Sequence, residues 1–200
     1  MRILPRHRHD HTVTRIMYLF LLMALAPHAQ AAPTTYVIDP THTQPRFEYN
    51  HFGFSMQVHS FDKTEGTIIY DPQAKTASVA IRIDPKSINT GYSVLNDKLQ
   101  DKDFFDSARY PEITFKSTMV KFVGSKPVKV YGNLTIKGIT KPVVLTVTSF
   151  QHKENPIVKK DEIGANAYTR LKRSDFHMGK YAPGVSDDIT INLPVEALKP

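Results

Sequence analysis

The segment LNDKLQDKDFFDSARYPEITFKS, residues 95–117, is the one part of the chain in which a helical repeat interrupts a series of alternating segments. Leu95 and Leu99 are four residues apart and therefore share one face of a helix, while charged side chains cover the other faces. Tyr110 precedes a proline, which ends the helix there. From Ile113 onward the apolar residues alternate. The segment therefore predicts one amphipathic helix laid across an end of a β-structure.

The role of this predicted helix is open between two interpretations. Phe104 and Phe105 extend its apolar face beyond Leu99. The helix then either fills the core of a β-barrel as a plug or covers an apolar cavity as a lid. Because aromatic patches are usually buried in cores, these residues alone favour the plug.

Short alternating segments lie on both sides of the helix and predict an all-β fold. About eight such strands with turn residues between them are typical of a sandwich or an antiparallel up-and-down barrel, and we predict the barrel because closure removes exposed strand edges. A small barrel of this strand number can hold one ligand. Residues 151–161 are polar and predict a surface hairpin tip. The predicted strands cover residues 35–39, 46–51, 58–61, 67–71, 76–83, 113–123, 129–137, 141–150, 164–172 and 189–197.

The first 31 residues have the pattern of a secretory signal peptide. Four arginines precede the apolar run IMYLFLLMALA, residues 16–26, which is too short to span a bilayer. Pro27 ends the run, and Ala29-Gln30-Ala31 fits a small-residue cleavage site. We therefore predict cleavage after Ala31, a single mature domain over residues 32–200, and a periplasmic location.

Composition excludes several classes of function. The net charge of +7 falls to +4 when residues 1–31 are removed, because they hold four arginines and one aspartate. No cluster of basic residues alternates with aromatic residues, so nucleic acid is not a predicted partner. The chain has no cysteine, which excludes disulfides, thiol catalysis and cysteine-bound metals. No integral membrane segment is expected after signal cleavage.

Four motifs follow one another along the chain: YVIDPTH at 36–42, DKL at 97–99 with DFFD at 103–106 and YPEITF at 110–115, GNLTIKGITKPV at 132–143, and RSDF at 173–176. Taken together and in this order, they resemble the YceI-like family. The resemblance implies a lipocalin-like barrel with an elongated apolar interior. It also implies a non-enzymatic role in binding a polyisoprenoid lipid, such as an isoprenoid quinone or a polyprenyl alcohol or phosphate. A bound lipid of this kind is then the expected ligand, with no cofactor.

The candidate lipid-binding residues are apolar side chains on the predicted inner faces and the helix. For each one taken alone, a filled core is the commoner role, and the resemblance is what favours a cavity. His42, beside the first strand, is a possible contact for a polar head group. The set comprises Phe47, Tyr49, Phe52, Phe54, Ile81, Ile83, Leu95, Leu99, Phe104, Phe105, Ile113, Phe115, Leu134, Ile136, Phe176 and Met178.

Polar clusters give weaker signals. His42, His51 and His59 are spaced nine and eight residues apart, which matches no compact ligand motif, so no metal site is predicted. Asp97 and Asp101 are expected on a solvated helix face. Asp175 is expected to pair with a neighbouring arginine or to accept backbone N–H groups at a turn.

Two rival functions stay open at this point. One is an enzyme acting on an amphiphilic substrate inside the barrel, for which His42 or Asp175 would be the titrating residue. The other is a structural or stress-response protein with a fully packed barrel. An exposed aromatic patch at the helix also permits a homodimer, although no motif specifies one.

Overall fold

The computed structural model describes residues 1, 2 and 32–200, so the predicted signal peptide from residue 3 to its cleavage site lies outside the described residues. Residues 32–200 form one compact unit. Its eleven strands are all paired in the antiparallel sense, as the prediction of an all-β barrel requires. The strands are β1 (Thr34–Ile38), β2 (Arg46–His51), β3 (Ser55–Phe61), β4 (Thr64–Asp71), β5 (Thr76–Ile83), β6 (Ile88–Asn89), β7 (Ile113–Val123), β8 (Lys126–Ile136), β9 (Ile139–Glu154), β10 (Asp161–Lys172) and β11 (Asp188–Leu198).

Eight of the strands close into a barrel. Their order is β1, β4, β5, β7, β8, β9, β10 and β11, and β11 pairs again with β1. The edge of β11 that faces away from β10 pairs with two strands. Thr190, Ile191 and Asn192 pair with β2, whereas Ala197 and Leu198 pair with β1. Strands β2, β3 and β6 therefore continue the wall at one end of the barrel, where β1 is absent.

The side chain of Thr43 joins the two parts of this shared edge. Its hydroxyl donates to the Glu196 carbonyl at 3.1 Å and accepts from the Glu196 N–H at 3.0 Å. Thr43 is buried. A side chain thus satisfies the Glu196 N–H between the positions of β11 that pair with β2 and those that pair with β1, while the Glu196 carbonyl also accepts from the Asp39 N–H at 2.9 Å.

The one α-helix of residues 32–200 is shorter than the sequence pattern predicts. Helix α1 (Ser93–Leu99) ends before Phe104 and Phe105, which lie in the turns that follow. Those turns are closed by a backbone hydrogen bond from Phe104 N–H to the Asp101 carbonyl and by a left-handed Asp106. Aspartate favours turns over helix interiors, which explains the early end. No described helix is long and apolar enough to cross a membrane.

The polar segment of residues 151–161 is only partly a hairpin tip. Strand β9 runs on to Glu154, and the turn is confined to residues 155–160. His152 explains the difference, since it is a polar residue whose ring nitrogen lies 2.9 Å from the buried Tyr36 hydroxyl. The strand therefore continues through this polar segment, with His152 facing inward and its neighbours Gln151 and Lys153 exposed.

The interior of the barrel divides into two clusters of buried side chains. The upper cluster lies at the helix end and includes Phe61, Phe105 and Phe115. The floor cluster fills the other end. Its members are Tyr36, Ile38, Ile68, Tyr70, Ile163 and Ala197, with Phe122 and Phe150 packed against them.

Gly132 provides a test of how tightly the upper half is packed. A Cβ atom added there would lie 2.6 Å from the Lys116 carbonyl oxygen and would also collide with the Phe115 ring. We expect Gly132→Ala to lower the free energy of unfolding by about 1–3 kcal/mol, because the backbone or the ring must move. Gly164→Ala is the matched control, since a Cβ there meets nothing within 4 Å. Equal urea midpoints for the two variants would contradict this packing.

Candidate functional site

The upper half of the barrel contains an apolar cavity of about 180 Å³. Side chains from strands β2, β3, β4, β5, β7, β8, β9, β10 and β11 contribute to its wall, and the helix contributes Leu99. On β11 the alternating residues Ile189, Ile191 and Leu193 all face it. The barrel is therefore neither fully packed nor an open tube.

Twelve of the sixteen predicted contact residues line this cavity. Most come from the inward faces of the strands, as period-two alternation predicts. Leu99, Phe104 and Phe105 come from the helix and its turns. The twelve are Phe47, Tyr49, Ile81, Ile83, Leu99, Phe104, Phe105, Ile113, Phe115, Leu134, Ile136 and Met178.

The other four predicted residues do not line it. Phe52 and Phe54 lie at the tip of the β2–β3 hairpin, where Phe54 is 89% exposed. Leu95 is only partly buried in a helix that has no buried residue, so a four-residue spacing alone does not bring it inward. Phe176 is 1% exposed and packs in the upper cluster without reaching the cavity.

Sequence reasoning missed a larger part of the wall. The alternation on β11 was visible, and it is the signal that would have found four of these residues. Phe61, Val79, Val143 and Leu145 also followed visible strand patterns. The missed residues are Thr43, Pro45, Arg46, Phe61, Thr64, Val79, Val143, Leu145, Thr169, Arg173, Val185, Ile189, Ile191, Leu193, Pro194 and Val195.

Arg173 is the one buried charged residue in the described wall, with 8% of its surface exposed. Its guanidinium is engaged by backbone carbonyls and forms no ion pair within the described chain. Burial lowers its pKa, and nearby Asp187 only partly offsets this effect. An arginine nonetheless stays protonated in a protein. The four bonds run from Nε to Ser186 at 2.9 Å, from Nη1 to Met178 at 2.6 Å and Lys180 at 3.2 Å, and from Nη2 to Val185 at 2.8 Å.

Through these bonds Arg173 holds residues 178–186 against the end of the barrel, which is a structural role. The carboxylate at this turn is Asp187, which accepts from the Ser174 N–H at 2.7 Å. The expectation that Asp175 would do so, or would pair with an arginine, is wrong, because Asp175 is exposed and lies in no ion pair of the described residues.

Tyr49 and His59 form a polar pair beside the cavity. The Tyr49 hydroxyl lies 2.9 Å from His59 Nε2, and the His59 ring packs edge-on against Phe47. Burial lowers the pKa of His59, which is 4% exposed, so its imidazole is neutral at pH 7. The Tyr49 hydroxyl is thus already hydrogen-bonded before any ligand arrives.

His42 lies on the outer surface and not in the cavity. Its Nδ1 is 2.7 Å from Asp39 Oδ2 and 3.7 Å from Glu196 Oε2. The hydrogen bond with Asp39 raises the pKa of His42. These three residues offer possible metal ligands within 4.8 Å of one another, but they form a hydrogen-bonded surface group as they stand. His51 and His59 belong to the β2–β3 hairpin and do not join it.

Comparison with known proteins supports the resemblance seen in the motifs. A family model for the YceI-like domain matches residues 36–197. The chain belongs to the YceI-like family. A UPF0312 protein of Vibrio cholerae is 32% identical to it over 184 residues, covering 90% of this chain and 95% of the relative.

Two solved structures show how far the YceI-like fold is shared. BcnA of Burkholderia cenocepacia is 26% identical, covers 80% of this chain and 99% of its own, and superposes with a TM-score of 0.68. A domain from Saccharophagus degradans, described as a polyisoprenoid binding domain implicated in plant cell wall breakdown, gives a TM-score of 0.63. It covers 84% of this chain and 99% of its own, and at 19% identity it shows the fold alone.

Arg173→Lys tests the carbonyl anchor. Lysine keeps the charge but presents one ammonium in place of a planar fork, so buried carbonyls lose their donors. We expect the free energy of unfolding to fall by about 3 kcal/mol in urea titrations. Arg170→Lys, an exposed position on β10, is the control and should stay within about 0.5 kcal/mol of the unmodified protein. Similar losses for both variants would refute the anchoring role.

The buried His59 predicts a pH dependence. Its pKa is lower in the folded protein than the unfolded value of about 6.5, so the unfolded state binds the proton first. The contribution of His59 to the free energy of unfolding is therefore complete above about pH 6.5 and declines as the pH falls toward the pKa of the folded state. An NMR titration of the His59 ring should give a midpoint below its ordinary value, and a midpoint at or above that value would exclude a desolvated imidazole.

Proposed function

We propose that this protein binds, stores or transports a polyisoprenoid lipid in the cavity of its barrel, after export to the periplasm and without catalysing a reaction. The ligand classes we consider are isoprenoid quinones and polyprenyl alcohols or phosphates. The observation that carries the proposal is the apolar cavity itself, whose wall is built from nearly every strand of the barrel.

The physical basis for binding is burial of hydrocarbon. Each methylene transferred from water into the cavity contributes about 0.8 kcal/mol before the cost of ordering the chain. Wall residues such as Leu134, Ile136 and Leu145 offer such a chain only apolar contacts. A volume of about 180 Å³ is below the range of roughly 300–1,000 Å³ that is usual for drug-sized ligands. The cavity therefore suits the end of a chain, with the polar head outside it.

Three polar residues of the wall agree with a ligand whose buried part is apolar. Arg173 and Tyr49 are already hydrogen-bonded to the protein, and Thr43 is bonded to Glu196. The buried Thr64 hydroxyl is the exception, since it has no hydrogen-bond partner among the described residues. The Saccharophagus domain with the same fold is described as polyisoprenoid binding, which supports the same ligand class here.

The rival functions are less well supported. The two residues on which an enzyme inside the barrel would depend, His42 and Asp175, do not line the cavity. A fully packed barrel does not account for the space between the β11 face and the upper cluster. Binding without catalysis is the function that the geometry favours.

The direct test is mass spectrometry of the organic extract of the purified protein, followed by titration of the delipidated protein with a polyprenol and a quinone. We expect an isoprenoid in the extract, or saturable uptake of an added one. An empty extract together with no uptake would contradict the proposal.

Ile191→Gln tests whether the lipid occupies the cavity. It places an amide without a partner in the apolar wall, so the affinity for a polyprenol should fall at least about tenfold. Asn192→Gln puts the same side chain on the exposed face of the same strand and should bind as the unmodified protein does. Equal affinities for the two variants would place the ligand elsewhere.

A further inference from the structure

The cavity ends inside the barrel, well before the far rim. Val79, Ile81 and Val195 mark the boundary, because each lines the cavity and also packs against the floor cluster. Below them the interior is filled by buried side chains, of which Ile163 is 2% exposed and Ala197 is fully buried. A chain that enters from the helix end therefore meets a packed floor.

The floor is built largely from aromatic rings. Tyr70 is 4% exposed and stacks parallel to Phe122, with the ring centres 6.3 Å apart. Phe150 meets Tyr70 edge-on at 5.6 Å. Both stacked and edge-on pairs are favourable arrangements for aromatic rings, so these three side chains hold one another in place.

A polar network fastens the floor from below. The Tyr36 hydroxyl donates to Asp161 Oδ2 at 2.6 Å, and His152 Nε2 lies 3.0 Å from Asp161 Oδ1. The His152 ring also packs edge-on against Tyr36 at 5.9 Å and Tyr70 at 5.3 Å. Because strands β1, β9 and β10 all contribute, the floor does not move without disturbing the barrel end.

From this arrangement we infer that the floor sets the length of hydrocarbon chain that the protein binds best, with Val79 and Phe150 as specificity-determining residues. This inference rests on the proposed function, since it assumes that a lipid chain enters the cavity. It adds that the chain enters with its apolar end first and stops at the floor.

The consequence is a characteristic dependence of affinity on chain length. While the end of the chain is still above the floor, each added methylene that becomes buried raises the affinity by up to about fourfold. Once the end touches the floor, further methylenes stay outside the cavity and the affinity stops rising. A closed floor thus predicts a plateau, whereas a through-going tunnel predicts a continued rise over the length of the barrel.

The experiment is a titration of the delipidated protein with linear isoprenoid alcohols that lengthen by one isoprene unit at a time. Phe150→Ala should deepen the cavity and move the plateau to longer alcohols. Val79→Phe should raise the floor and move it to shorter ones. Phe52→Ala, an exposed site outside the cavity, is the control and should leave the plateau in place.

A second floor variant protects the test against loss of folding. Phe122, at the end of β7, is partly buried, as Phe150 is, so Phe122→Ala removes a second floor ring from a different strand at lower risk to the fold than a fully buried position would carry. It should shift the plateau in the same direction as Phe150→Ala.

The outcomes separate the two proposals. Opposite shifts for the Phe150 and Val79 variants support the inference. A plateau that stays put in folded variants, or an affinity that rises without a plateau, overturns it while leaving lipid binding intact. If no alcohol binds the unmodified protein at any length, the proposed function itself fails.

Discussion

The structure depends on strand β11, one edge of which pairs with two different strands at its two ends. One edge pairs with β10 along the whole strand, whereas the other pairs with β2 at Thr190–Asn192 and with β1 at Ala197–Leu198. Thr43 supplies hydrogen bonds to Glu196 between these two regions. The barrel is therefore closed by different strands at its two ends, and each end has its own set of inward side chains.

This division explains why one half of the interior is filled and the other is not. Strand β1 brings Tyr36 and Ile38 into the floor cluster, where large side chains meet and leave no space. Strand β2 brings Phe47 and Tyr49 to the helix end, where their rings line the wall of the cavity. Arg173 holds the neighbouring segment through four carbonyls, so this end stays ordered without being filled. An apolar space with a fixed wall is what a hydrocarbon chain requires.

Period-two alternation was enough to predict the barrel and the inward position of several strand residues of the cavity wall, because inward and outward residues alternate on each strand. The bounds of β2 and β5 agree with the pattern to the residue. Phe52 and Phe54 could not be placed from alternation, because the pattern does not show which part of a hairpin extends beyond the barrel into solvent. The role of Arg173 depends on carbonyls up to thirteen residues away, which no local pattern encodes. The floor was also unpredictable, because Tyr70, Phe122 and Phe150 meet only after the strands are paired.

The central claim is that an isoprenoid chain lies inside the upper half of the barrel. The most direct measurement is a crystal structure of the protein saturated with a polyprenol. The account predicts electron density for the chain between β11 and the upper cluster, ending at Val79 and Val195, with the hydroxyl outside the cavity. Density on the outer surface of the barrel, with an unchanged and empty interior, would contradict it.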